Sequence, residues 1–475
     1  MIFAFKKEKV SQTEEILYLR DLVERLVIKI AELSSENAEL RARLSQHSGN
    51  SSRPPSVDGY RKKSCTEILK AGVEKKKRGG QIGHKGNTLH QISHSDFVVE
   101  HKPAVCNCGH HFGGVSEYEF LEKRQVFEIP PQRIDVYEHH VYQVRCPVCG
   151  QKHKAEFPSG VTAQAQYGNR MRSFIAILNV VCSVPMAKIS QIIEDLFGVS
   201  INEGTIVSIC KQLSGNLEAS DKILQQLISN SDVVNADETG IRISKKTSWL
   251  HNYSTPFYTY LFPHVKRGTE AIEKGGAFLK DFKGWLIHDC WKPYFKLTNT
   301  QHGLCNAHLI RELQFIVENN NRVWAKRMQD FLVKLNKTPF EERLENQTQL
   351  KIEYDNICRF AKNEEPPPIQ NPTIRKGRKK KTKAINLLER LIEYKEYVLA
   401  FAFNKNVPFT NNLAERDLRT AKIKMKVSNC FRSFEGAEHY ARIASFISTA
   451  RKNKHNIFEE IYHSFCGFNF LTVDT

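Results

Sequence analysis

The feature that most constrains this chain is a heptad pattern near its start. Ile16, Val23, Ile30, Asn37 and Leu44 recur every seven residues, and Leu19, Leu26, Leu33 and Leu40 follow three places on. Residues three and four apart share one helical face, so 14–46 reads as a long helix with a narrow apolar seam. β-Branched residues at the first set and Leu at the second favour a parallel two-stranded coiled coil. Asn37 within the seam fixes register at some cost in stability. Glu15 would face Arg20 of a partner, and Glu36 would face Arg41. The competing reading is an amphipathic helix packed on its own protein. Either helix stops in the breakers Ser48-Gly49-Asn50-Ser51-Ser52-Arg53-Pro54-Pro55.

With 475 residues, 40% of them hydrophobic, the chain is long enough for several domains and too apolar to be mostly disordered. A net charge of +18 suits a polyanionic partner, nucleic acid or an anionic membrane surface. The longest apolar stretch, Phe174 to Val184, is short and carries Asn179, which favours a buried helix over a membrane span. Met1 to Phe5 runs at once into Lys6, Lys7, Glu8 and Lys9, unlike a secretory signal. The twelve cysteines are scattered apart from Cys106/Cys108 and Cys146/Cys149, which reads as reduced cytoplasmic thiols plus one metal site.

The expected organisation is multidomain α+β. The coiled-coil helix (1–48) leads to a basic Gly/Pro-rich linker (49–96) and a small β-rich zinc-binding module (97–158). A helical region (159–230) follows, in which Ala187 to Phe197, a break at Gly198-Val199-Ser200, and Glu203 to Leu213 read either as a DNA-reading helix-turn-helix or as plain helical packing. A catalytic α/β core (231–430) carries a helical insertion at about 309–405, and a helical segment (431–475) ends the chain. Within the insertion, Pro366-Pro367-Pro368 and the run Arg375 to Lys381, including Lys379, Lys380 and Lys381, read as an exposed loop able to meet DNA.

The core has chemical content. Val233-Val234-Asn235-Ala236-Asp237 and Trp285-Leu286-Ile287-His288-Asp289 are apolar runs that each end in a carboxylate. Trp249 to Tyr253 and Phe257 to Phe262 read as further strands, and Gly268 to Phe282 as a helix. Adjacent Asp side chains at strand ends repel unless a cation lies between them. A third carboxylate from a helix would complete a cage for two Mg²⁺ or Mn²⁺, suited to in-line displacement at phosphorus. Capping or turn formation by Asp is the plainer alternative.

Strings in order along the chain resemble the insertion-sequence-66 family of bacterial transposases. They are Ser48 to Ser56, Gly79 to Gly86, Cys146-Pro147-Val148-Cys149-Gly150, Ala236-Asp237-Glu238-Thr239-Gly240 and His288 to Tyr294. Cys305-Asn306-Ala307-His308-Leu309, Asn411 to Arg416, Ser433 to Ala437 and Thr449-Ala450-Arg451 complete the set. The resemblance implies an RNase H-like core with an Asp-Asp-Glu triad, which by motif falls on Asp237, Asp289 and Glu415. It implies a DNA transposase that cuts and joins the ends of its own element, acting on double-stranded DNA in the bacterial cytoplasm with small accessory proteins. The alternatives are an inactive or domesticated DNA-binding protein and a two-metal nuclease that does not join strands. Glu238 would point to the opposite face of its strand from Asp237. Arg416 and Arg419, one turn apart, read as a phosphate clamp or as structural ion pairs.

Cys106, Cys108, Cys146 and Cys149 are four candidate thiolates for one structural Zn²⁺. The first pair has one intervening residue where the family usually has two. That leaves open a tighter knuckle, a replacement by His110 or His111, or a lost site. Cys305 and His308 read as packing near the active site or as a small ligand pair.

Overall fold

The structure is a computed structural model, and it describes residues 12–51, 89–114, 117–365 and 381–473. Lys379, Lys380 and most of the basic linker lie outside the described residues. The chain divides into two compact units, one drawn from 1–71, 164–190 and 201–475, the other from 72–163 with 191–200.

In the smaller unit the strand-rich expectation is met only in part. Among the described residues of 97–157, Gln143–Arg145 (β1) and Lys152–Lys154 (β2) pair as an antiparallel ladder. Apolar residues that would face a second layer are open to solvent, with Val148 94% exposed and Phe97 89%. Alternating apolar residues extend a ladder only where one face is buried, and an isolated pair of strands is marginal in water.

In the larger unit, Gln12–Leu44 is one unbroken 33-residue helix, about 50 Å long. Its seam residues Ile16, Leu19, Val23, Leu26 and Ile30 are all exposed. The breakers after it form a knot on helix Asn306–Asn320. Asn50, 1% exposed, donates through Nδ2 to Ser45 O (3.0 Å) and to Glu318 Oε2 (2.6 Å), and its Oδ1 accepts from His47 N–H (2.8 Å). His47 reaches the same carboxylate, and Ser45 bonds Asn319.

A five-stranded sheet forms the centre: Val233–Ile243 (β3), Lys246–Ser254 (β4), Thr259–His264 (β5), Trp285–His288 (β6) and Gln301–Leu304 (β7). The order is β5-β4-β3-β6-β7. The first three strands form an antiparallel meander, and β6 and β7 run parallel to β3. Ser244 and Lys245 make the two-residue β3–β4 turn with φ of +48° and +66°. Hydrogen bonds from Ser244 to Phe431 O and Arg432 O hold that turn in place.

Helix 268–282 is shorter than the sequence predicts. It runs Thr269–Gly275 and gives way to a 3₁₀ turn at Ala277–Leu279. A Cβ at Gly275 would stand 1.9 Å from the Phe262 ring, so the close packing of helix on sheet requires glycine where the helix ends. The short parallel strand β7 is absent from the sequence reading.

The insertion is helical as expected, built from Asn306–Asn320, Val323–Lys337, Phe340–Glu345, Gln347–Glu364, Lys383–Glu393 and Lys395–Phe403. Trp324, Met328, Leu332, Tyr354, Leu387 and Leu399 pack there with Ile287 and Leu304 of the sheet in one core. The last long helix, Phe434–Lys452, lies on β5, where Ser445 Oγ accepts from Leu261 N–H (2.8 Å). Helices Met186–Phe197 and Glu203–Asn216 stand where two helices are expected, with Gly198 between them at φ +66°. The second is capped by Asn202, whose Oδ1 accepts from Thr205 N–H (2.8 Å), and it buries Ile206, Ile209 and Leu213.

Candidate active site

The parallel pairing of β3 with β6 sets the site. The register runs Val233↔Trp285, Val234↔Leu286, Asn235↔Ile287. Asp237 and Asp289 each stand two residues beyond that last pair, level with one another where the β3–β6 ladder ends. Contrary to the sequence expectation, Asp237 is not at a strand end, because β3 continues to Ile243 along β4. Asp237 is half-buried, and its Oδ1 accepts from Glu238 N–H (2.9 Å). Asp289 follows the last residue of β6 and accepts from Trp291 N–H (3.0 Å). Burial first, then the charges of Glu238 and Glu415, push the Asp237 carboxyl up to about 7, against the opposing pull of His308.

Glu415 arrives on the short helix Asn412–Asp417, and polar contacts fix that helix at both ends. Before it, the buried Asn411 donates through Nδ2 to Ala236 O (2.7 Å) and accepts from Asn235 Nδ2 (2.8 Å). Its own N–H donates to Cys305 Sγ (3.1 Å). Asn252 Nδ2 donates to Ala414 O (3.0 Å). At the far end Asp417 Oδ2 accepts from Ser254 Oγ (2.7 Å), Thr259 Oγ1 (2.9 Å) and Lys452 Nζ (2.6 Å). The Asp417–Lys452 pair is 6% and 8% exposed, so it is a buried ion pair whose charges are satisfied by hydrogen bonds.

Glu238 is engaged elsewhere. Its Oε1 meets Arg267 (2.6 Å) and its Oε2 accepts from Tyr294 OH (2.6 Å). Arg267 is stacked between the rings of Trp249 (4.9 Å) and Trp291 (4.5 Å). Burial and then the charge of Asp289 raise the pKa of Glu238, while Tyr294 and Arg267 pull it down.

Cys305 and His308 stand beside Glu415. One ligand atom from each of the three residues lies within 4.8 Å of the other two. His308 Nε2 is 3.8 Å from Glu415 Oε1. Burial disfavours the imidazolium, but Cys305 and Glu415 outweigh it and raise His308 to about 9.

Arg416 and Arg419 are exposed and make no ion pair among the described residues. Lys381 is paired with Glu389, which ties up the one described lysine of the basic run. In the smaller unit Cys106 and Cys146 begin matching turns. Gly109 N–H donates to Cys106 O (2.8 Å) and Gly150 N–H to Cys146 O (2.9 Å), with positive φ at both glycines. Backbone N–H groups of Cys108 and of Cys149 lower the thiol pKa of Cys106 and Cys146 respectively. The structure does not draw Cys106, Cys108, Cys146 and Cys149 into one cluster. Among the described residues, the one group of three or more such ligands within 4.8 Å is that of Cys305, His308 and Glu415.

The clamp residues Asn411, Asn235, Asn252 and Lys452 escaped the sequence reading. Their signal was slight: Asn411-Asn412 directly precedes the Glu415 helix, but nothing in its spacing announces a bond to β3.

Residues 164–439 match the model of the Transposase IS66 family, and the chain belongs to that family. Residues 6–90 match a family of unknown function. No curated protein matches the chain. Among the described residues no helix is long and apolar enough to cross a membrane.

Proposed function

We propose that this transposase cuts DNA at the ends of its own element and joins them to a target, using Asp237, Asp289 and Glu415 to hold two Mg²⁺ or Mn²⁺ ions. The observation that carries the reading is the shared level of Asp237 on β3 and Asp289 just after the parallel β6, with the Glu415 helix bonded to β3. A meander followed by two parallel strands, in the order β5-β4-β3-β6-β7, supports an RNase H-like core. The donor set fits hard cations, which take oxygen ligands. Two further features fit a missing counter-charge: Asp237 is raised to about 7 by burial and neighbouring carboxylates, and the buried Glu415 Oε1 has no hydrogen-bond partner.

Such ions would activate the attacking oxygen and stabilise the leaving one. The protein's own part is placement. Asn411 and Asp417 hold the Glu415 helix, Trp291 N–H orients Asp289, and Arg267 and Tyr294 keep Glu238 out of the site. The exposure of Arg416 and Arg419, one turn apart beside Glu415, supports a role in meeting DNA phosphates. The exposed seam of Gln12–Leu44 supports a homodimer through residues 14–46. The paired cysteine turns support one structural Zn²⁺ in the smaller unit, which buries too little apolar surface to be held by a core alone. Small accessory proteins of the same element and action in the bacterial cytoplasm belong to the same proposal.

The test is cleavage and joining of element-end DNA by the wild type and by Asp237→Asn, Asp289→Asn and Glu415→Gln, with DNA binding followed in parallel. Each amide should leave binding intact and lower both reactions by several orders of magnitude, and the losses should be non-additive. Near-normal cleavage by Glu415→Gln would remove it from the triad. Cleavage without joining by the wild type would make the chain a nuclease.

A further inference from the structure

Cys305 and His308 have no part in the reading above, yet they make the tightest ligand cluster among the described residues. Cys305 follows β7 and is 1% exposed, and His308 lies one turn into helix Asn306–Asn320. With Glu415 they present a sulfur, an imidazole nitrogen and a carboxylate oxygen within 4.8 Å of one another. Two buried atoms of the cluster, His308 Nδ1 and Glu415 Oε1, lack hydrogen-bond partners. Leaving a buried polar atom unsatisfied costs about 1–3 kcal/mol, and two in one cluster point to an ion.

The chemistry of the donors narrows which ion. Thiolate and imidazole are poor ligands for Mg²⁺ and good ones for Zn²⁺. Zinc bond lengths place tetrahedral ligands roughly 3.3–3.8 Å apart. The His308 Nε2–Glu415 Oε1 separation of 3.8 Å exceeds the nitrogen–oxygen spacing by a few tenths of an ångström, and the widest separation allowed by the cluster, 4.8 Å, needs to close by about an ångström. Cys305 Sγ accepts a bond from Asn411 N–H and keeps lone pairs free for a metal. The side chains of His308 and Glu415 are 23% and 20% exposed, so an ion has an approach from their side.

We propose that Cys305, His308 and Glu415 bind one Zn²⁺ as thiolate, neutral imidazole and carboxylate, with the fourth position open to water. Binding releases to solvent the protons of the Cys305 thiol and of the His308 imidazolium. Zinc competes with the hard-ion pair for Glu415, so zinc switches the centre off by drawing away its third carboxylate. That consequence rests on the triad proposed above; the binding does not.

The experiment equilibrates the full-length chain with excess Mg²⁺ and micromolar Zn²⁺, then measures bound zinc by elemental analysis. Wild type should carry one zinc per chain more than Cys305→Ser, whatever the smaller unit holds, because that variant leaves the other thiols in place. Serine still offers Asn411 N–H an acceptor. His308→Gln, which leaves that bond untouched, should show the same loss. Equal zinc in the wild type and both variants overturns the site. In the second arm, added zinc should depress wild-type cleavage in step with occupancy, and each variant, measured against its own activity in Mg²⁺ alone, should resist. Zinc that binds without slowing cleavage overturns the sharing of Glu415. A wild type inactive in Mg²⁺ alone counts against the triad and leaves the zinc measurement standing.

Discussion

Each of the two units of this chain has its own kind of internal order, and the two kinds are opposite. Around Glu415, polar side chains are buried and matched one to one: Asn411 with Ala236 and Asn235, Asn252 with Ala414, Asp417 with Lys452, Ser254 and Thr259. In the smaller unit the ion pairs are exposed, as with Lys102–Glu100 at 51% and 69%, and the apolar side chains are largely open to solvent. The first arrangement spends desolvation energy to fix geometry, which a catalytic carboxylate needs within a fraction of an ångström. The second fixes little by itself, and the order it has lies in the turns at Cys106 and Cys146.

The contrast predicts unequal responses to similar changes. Lys452→Met strips a buried carboxylate of its cation and should cost about 3–5 kcal/mol, read as a large fall in thermal midpoint. Glu100→Gln breaks an exposed pair and should leave the midpoint unmoved. Equal shifts would erase the distinction.

A second prediction uses pH. Without divalent ions, burial and then Glu238 raise Asp237 from 3.8 to about 7. The folded chain therefore keeps a proton that the unfolded chain has released, so stability falls as pH rises from about 4 through about 7. Melts of the wild type should show this slope and Asp237→Asn should flatten it, with Mg²⁺ restoring wild-type stability at the upper end. Identical slopes in both proteins would mean that Asp237 ionises freely.

Removing the clamp while sparing the carboxylates comes next. Asn411→Ala should slow DNA cleavage by about 10²-fold with binding retained, since an ångström of misplacement costs that much. Unchanged turnover would show that the Glu415 helix is held without it. The smallest effect belongs to the surface. Arg416→Gln with Arg419→Gln should reduce the slope of log affinity against log salt by about 2 if both meet phosphate.

Much of the core was legible because its strands are buried on both faces. Val233–Ala236 and Trp285–His288 are near-continuous buried runs; Asp289 stands where its chain leaves the sheet, whereas β3 continues through Asp237 to Ile243. The strand β7 was not legible, because Gln301-His302-Gly303 carries no apolar signal. His302 earns its buried place by bonding His288 Nε2 (2.9 Å), and a Cβ at Gly303 would meet Ile287 at 2.7 Å, so the strand is written in fit, not hydrophobicity. The smaller unit misled in the opposite direction: the stretch from 97 reads as β-rich, yet its Phe97, Val126 and Val136 are open to solvent. Glu415 was found by its resemblance to a motif, since local spacing offers no reason to choose it over Asp417. The physical difference between them is partnership: Asp417 is neutralised by Lys452, and Glu415 keeps a buried oxygen without a hydrogen-bond partner.

The knot at Asn50 has a mechanical consequence. A rod about 50 Å long is a lever, and a swing of about 10° at its root would carry the tip about 9 Å. Asn50, gripping Ser45 on one side and Glu318 on the other, removes that play at the root itself. Two chains clasped along such rods, as proposed above, would inherit from this asparagine the span between their cutting centres, and with it the spacing of the two breaks they make in a target.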